Sequence, residues 1–158
     1  MTDLASRIGI DEVKELARTI PVAELYSLMQ SNDPAVSRNA AWVMTHKSNA
    51  QIAQLNQKDL IDLILSTGDT PLRRLTLNLV ERQPMVEDEI RSDFLDFCLG
   101  HMAMMEEPPG VQSLCMKLAY RMCSYYPELM HEFQETLRLI HIEHYKPGLQ
   151  CLIKKLRK

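Results

Sequence analysis

The sequence predicts a single all-α domain built from stacked helix pairs, and three observations lead there. Glycine is scarce, at 5 of 158 residues, while methionine reaches 10, a composition that favours helices over a turn-rich β fold. One segment pattern recurs four times along the chain at a nearly fixed interval. Each copy opens with residue types that start a helix and continues with apolar residues at helical spacing. A chain of 158 residues suits one domain with a real core.

The elements follow in order. Residues 4–18 read as an opening amphipathic helix, interrupted near Gly9, that covers the first pair. Val22 to Gln30 carries apolar Val22, Leu25, Leu28 and Met29, and the turn Ser31-Asn32-Asp33 leads into the first repeated segment, Asp33 to Ala40. Residues 50–57 read as a helical lead-in to the second pair. Leu60, Ile61, Leu63, Ile64 and Leu65 then precede Thr67-Gly68-Asp69 and the second segment, Thr70 to Thr76. Phe94 to Met105 precedes Glu106-Glu107-Pro108-Pro109 and the third segment, Pro109 to Cys115. Met130 to Tyr145 precedes Lys146-Pro147 and the fourth, Pro147 to Ile153. Such short turns make each pair antiparallel.

The aligned apolar residues of the four segments are Val36, Leu72, Val111 and Leu149, at spacings of 36, 39 and 38 residues. A period in this range signals stacked supersecondary units. Asp33 and Thr70 can cap free backbone N–H groups, and Pro34 and Pro71 then take the first helical position, where the missing N–H costs nothing. At offsets +3, +4 and +7 the residues are Asn39, Ala40 and Val43; Leu75, Thr76 and Leu79; Leu114, Cys115 and Leu118; and Leu152, Ile153 and Leu156. That face is apolar except for Asn39 and Thr76. Eight or nine helices result, in repeats of about 22–47, 58–83, 93–126 and 129–158, all within one domain over residues 1–158.

The run from Leu25 through Asp33-Pro34-Ala35-Val36-Ser37-Arg38-Asn39-Ala40-Ala41 resembles the HEAT repeat of the armadillo-type families, as does Leu60 through Asp69-Thr70-Pro71-Leu72-Arg73-Arg74. The third and fourth copies lack the Asp and carry Gln112 and Gln150 where Arg is usual. The resemblance covers about residues 22–158. It implies a short right-handed α-solenoid of about four antiparallel helix pairs with an N-terminal capping helix. It also implies that the second helix of each pair lines a concave surface.

Function is read from residues that break the repeat. At offset +6 the copies carry Trp42, Asn78, Lys117 and Lys155, so the only Trp stands where its counterparts are polar. At +10 they carry His46, Arg82 and Arg121, and Arg38 and Arg74 share +2. The resemblance implies a groove edged by Arg38, Trp42, Arg74, Arg82, Lys117 and Arg121. The alternative is that Trp42 packs under the N-terminal helix and the arginines pair with turn acids such as Asp33 and Asp69. The first arrangement suits a non-catalytic protein-interaction module that takes an acidic peptide or helix. The rival is a HEAT-like nucleic-acid binder related to alkylated-DNA glycosylases, for which Asp33 and Trp42 are the nearest Asp–Trp pair. A third reading is a subunit that works only as an oligomer.

Charge and motifs narrow the classes. The net charge of −3 gives no general attraction to phosphate backbones. Residues 1–110 carry 10 Lys/Arg against 17 Asp/Glu, and residues 111–158 carry 8 against 4. Lys154, Lys155, Arg157 and Lys158 form either a favourable last helical turn or a basic contact patch. No nucleotide-binding, zinc-protease or hydrolase motif occurs. Glu128 and His131 make only one Glu-x-x-His, so no metal and no cofactor is expected. The N-terminus lacks an apolar signal region, no apolar run reaches membrane-spanning length, and Cys98, Cys115, Cys123 and Cys151 form no C-x-x-C pair. These features predict a soluble cytoplasmic protein with buried, inert thiols.

Overall fold

The computed structural model describes residues 4–158. Among them the chain is all-α, with ten α-helices, two 3-10 turns and no strand. It falls into two compact units, Met1–Pro84 and Met85–Lys158.

The first unit holds α1 (Ile10–Thr19), α2 (Val22–Met29), α3 (Pro34–Met44), α4 (Asn49–Ala53), α5 (Gln57–Ser66) and α6 (Thr70–Glu81). Helix α2 packs on α3, α5 on α6, α3 on α6, and α1 on α3. The starts of α3 and α6 are local chemistry. The Asp33 carboxylate accepts from the Ala35 N–H at 3.0 Å, and Asp69, not the expected Thr70, caps α6, its carboxylate accepting from the Leu72 N–H at 2.9 Å. The expected lead-in is α4, opened by a Ser48/Gln51 capping box.

The N-terminal helix is shorter than the predicted 4–18. Gly9 is its N-cap, not an interruption, and the backbone before it is not helical. That approach is fixed instead by buried Leu4 and Ile8 and by Asn39, whose amide donates to the carbonyls of Leu4 at 2.8 Å and Ser6 at 2.9 Å. The polar break at Asn39 is therefore an anchor. Thr76, the other break, is fully buried and donates its hydroxyl to the Leu72 carbonyl one turn back.

The second unit holds a 3-10 turn (Glu87–Glu89), α7 (Ser92–Met102), α8 (Pro109–Cys123), α9 (Pro127–Leu139), a second 3-10 turn (Ile142–His144) and α10 (Pro147–Leu156). Helix α7 packs on α8, α8 on α9, and α10 on α8. Helix α9 stops well before the predicted Tyr145. Arg157 donates to the Leu137 carbonyl at 2.9 Å and satisfies the end of α9. The chain then turns, so that Tyr145 is buried with its hydroxyl on the Met102 carbonyl at the end of α7. Helix α7 likewise ends at Met102 and leaves Met104 and Met105 exposed in the turn.

The repeat register describes the core. At offset +4, Ala40, Thr76, Cys115 and Ile153 are all buried, and at +7 so are Val43, Leu79 and Leu118. Burying each large apolar side chain contributes about 1.5–3 kcal/mol.

One device recurs at the position after the aligned apolar residue in the second, third and fourth copies. Arg73 donates to the carbonyls of Ile64 and Thr67, Gln112 to that of Met104, and Gln150 to that of Tyr145. Each side chain satisfies carbonyls left open just before its own helix begins. Gln112 and Gln150, which depart from the family's Arg, still supply an N–H donor at the same place. No described glycine has positive φ, so these helix ends rely on side-chain donors in place of a left-handed cap.

Candidate functional site

The packing of α3 on α6 creates an open cleft in the first unit. Arg38, Asn39 and Trp42 line it from α3, and Pro71, Arg74 and Leu75 from α6, around a volume of about 300 Å³. The spacing brings these side chains together, since residues three and four apart share a helix face. Three of the predicted groove residues, Arg38, Trp42 and Arg74, meet here. Asn39, Pro71 and Leu75 complete the wall and are not among the groove residues that the sequence predicts. The repeat offset +3, shared by Asn39 and Leu75, was the available signal.

The three predicted residues stand in different states. Trp42 is half-buried, which lies between the exposed and the covered alternatives. The Arg38 Nε donates to Asp69 Oδ2 at 2.8 Å, so this arginine pairs with a turn acid while still edging the cleft. Arg74 is exposed and has no hydrogen-bond or ion-pair partner among the described residues. The cleft thus presents an indole face, one free guanidinium and one guanidinium held by a carboxylate.

Arg82 lies elsewhere in the same unit. Its guanidinium donates to the Asn49 side chain at 2.8 Å and to the carbonyls of Thr45 at 2.6 Å and Lys47 at 2.9 Å. All three of its nitrogens are committed to the turn after α3 and the first residue of α4, so it ties the end of α6 to both. Lys117 and Arg121 belong to α8 of the second unit, Lys117 exposed and Arg121 half-buried. At the end of the chain, Lys154, Lys155 and Lys158 are exposed, whereas Arg157 caps α9.

The thiols divide. Cys98, Cys115 and Cys123 are buried, but Cys151 is exposed, which corrects the expectation that all four are buried. Cys151 sits two residues after Leu149, off the face that Leu149 and Ile153 bury. Burial, with Cys115 beside it, raises the Cys98 pKa well above the ordinary thiol value. Burial, with Glu132 nearby, pushes the Cys123 thiol up to about 11. Neither setting activates a nucleophile.

Two of the histidines meet, but among the described residues without the further ligands of a metal site. The rings of His141 and His144 lie 5.5 Å apart, and Glu128 and His131 are both exposed on α9. Among the described residues no three His, Cys, Asp or Glu side chains come together as metal ligands. His101 stacks on Phe97 with ring centroids 3.9 Å apart, and its Nδ1 lies 3.3 Å from Glu107 Oε1, which joins α7 to the loop before α8. No described helix is long and apolar enough to cross a membrane.

No curated protein and no solved structure matches the chain. A family model does: the model of the HEAT repeat domain matches residues 1–158. That match agrees with the helix pairs and with the starts of α3 and α6, and the chain belongs to the HEAT repeat domain family.

Proposed function

We propose that this protein is a non-catalytic protein-interaction module that takes an acidic segment of a partner protein at the α3–α6 cleft. HEAT repeat domains commonly serve as protein-interaction scaffolds. The observation that carries the reading is the pairing, in one open cleft, of half-buried Trp42 with the free guanidinium of Arg74. Trp and Arg are the residues most enriched at contact hot spots. A partner carboxylate can take two parallel N–H donors from Arg74, and an apolar neighbour can pack on the indole. Arg82 supports the fold, and Lys117 and Arg121 of α8, in the second unit, do not line this cleft. The burial of Cys98, Cys115 and Cys123 favours a role without catalysis at these thiols.

Trp42 is the only Trp in the chain, so its fluorescence reports on this cleft directly. Titration with an amphipathic Glu/Leu helical peptide should shift that emission saturably. Arg74→Ala should weaken the response about tenfold, the loss of roughly 1.4 kcal/mol of charge-assisted hydrogen bonding. Trp42→Ala should lower stability by less than the roughly 3–5 kcal/mol expected of a fully buried aromatic. A flat titration, or a loss of stability in that full range, would remove this site. Duplex DNA binding that survives physiological salt would favour the nucleic-acid reading instead.

A further inference from the structure

The first unit contains a second cleft, of about 480 Å³, lined by Lys14, Ala17, Arg18, His46, Lys47 and Gln51. Helix α1 supplies Lys14, Ala17 and Arg18, which at spacings of three and four share one helix face. The turn after α3 supplies His46 and Lys47, and α4 supplies Gln51. Three of the six lining residues carry a cation, a fourth is an imidazole, and none is a carboxylate.

The unusual member is Lys47. It is only 8% exposed, and its ammonium donates to the Ile20 carbonyl at 2.7 Å. That neutral acceptor occupies one of three N–H donors. Among the described residues Lys47 has no carboxylate partner, and neither does Lys14. A lysine so little exposed and without a carboxylate partner favours an anion beside it, and the further cations of the cleft add repulsion that an anion relieves. Arg18 does pair with Glu15, but both side chains are largely exposed, so that contact is weak and readily exchanged. The Gln51 Oε1 is taken up by the Ser48 cap, which leaves its amide N–H₂ as the available donor of this lining residue.

We propose that this cleft is an oxyanion site that takes a phosphate group. A phosphate satisfies what the cleft lacks: it supplies negative charge to Lys14 and Lys47, and its oxygens match the planar fork of Arg18. It also accepts from Gln51 and His46. A single carboxylate has too little charge and too few oxygens for so many donors. The volume holds more than one phosphoryl group, so pyrophosphate, or a ligand that carries a diphosphate, is the better match. The site shares no lining residue with the α3–α6 cleft.

The test uses the full chain, with inorganic phosphate and then pyrophosphate titrated at ionic strength held constant with sodium chloride. Heteronuclear NMR should show saturable shifts at the amides of Lys14, Ala17 and Lys47, with pyrophosphate binding tighter than phosphate. The Lys14→Ala/Arg18→Ala double variant alters only exposed side chains, so it should keep the parent's melting temperature without ligand. It should bind pyrophosphate at least about tenfold more weakly. Arg74→Ala should bind it as the parent does, which separates this site from the peptide cleft. Shifts no larger than those of the chloride control would overturn the proposal, as would a double variant that binds as tightly as the parent.

Discussion

Arg38 and Asp69 join two repeats through one carboxylate. The Arg38 Nε donates to Asp69 Oδ2 at 2.8 Å, and the other oxygen of Asp69 accepts from the Leu72 N–H at 2.9 Å. The N-cap of α6 is thus also the anchor of α3, and it lies beside the candidate cleft. The two roles differ in strength. A lost N-cap costs about 0.5–2 kcal/mol, whereas an exposed ion pair is worth about 0.2–1 kcal/mol. Asp69→Ala should therefore destabilise more than Arg38→Ala in urea unfolding. Equal losses would mean that the ion pair, and not the cap, dominates.

Leu79 and Leu118 occupy the same repeat offset and are both fully buried. Either one changed to Ala should cost about 2–5 kcal/mol. Leu139, 75% exposed, is the control, and its change to Ala should stay within about 0.5 kcal/mol. Losses below about 0.5 kcal/mol at both Leu79 and Leu118 would contradict the register.

Thiol labelling should separate Cys151 from the rest. Modification needs the thiolate and access to it. Cys151 is exposed, whereas Cys98 and Cys123 have raised pKa values and Cys98, Cys115 and Cys123 are all buried. At mildly alkaline pH one thiol per chain should react quickly in the native protein, and the other three only on denaturation. Rapid native labelling of two or more would show that α7 and α8 open readily.

Alkaline stability should depend on Tyr26. Its hydroxyl donates to Asp59 at 2.8 Å between α2 and α5, and burial together with that carboxylate pushes its pKa up to about 12, against an ordinary 10. The folded state therefore holds this proton more tightly than the unfolded chain does. Its contribution is complete below pH 10 and is lost as pH rises toward 12. Thermal melts of Tyr26→Phe should show a smaller decline than the parent across that interval. An identical decline would assign the alkaline loss to other groups.

The sequence alone determined the helix pairs and the starts of their second helices. Asp33 and Pro34 act on N–H groups within three residues of themselves, so their effect is legible without any tertiary partner, while α6 begins one residue earlier than expected, with Asp69 as its cap in place of Thr70. The apolar periodicity located Leu79 and Leu118 for the same reason. The tertiary structure decided which cations are committed. Arg38 finds Asp69, and Arg82 finds Thr45, Lys47 and Asn49, in each case more than thirty residues away, while Arg74 finds none among the described residues. It also decided where α9 ends, because the Arg157 that satisfies it comes from the end of α10. The cleft around Lys47 was hidden likewise. Its chemistry rests on a lysine buried against the Ile20 carbonyl, a contact between segments that no local pattern links.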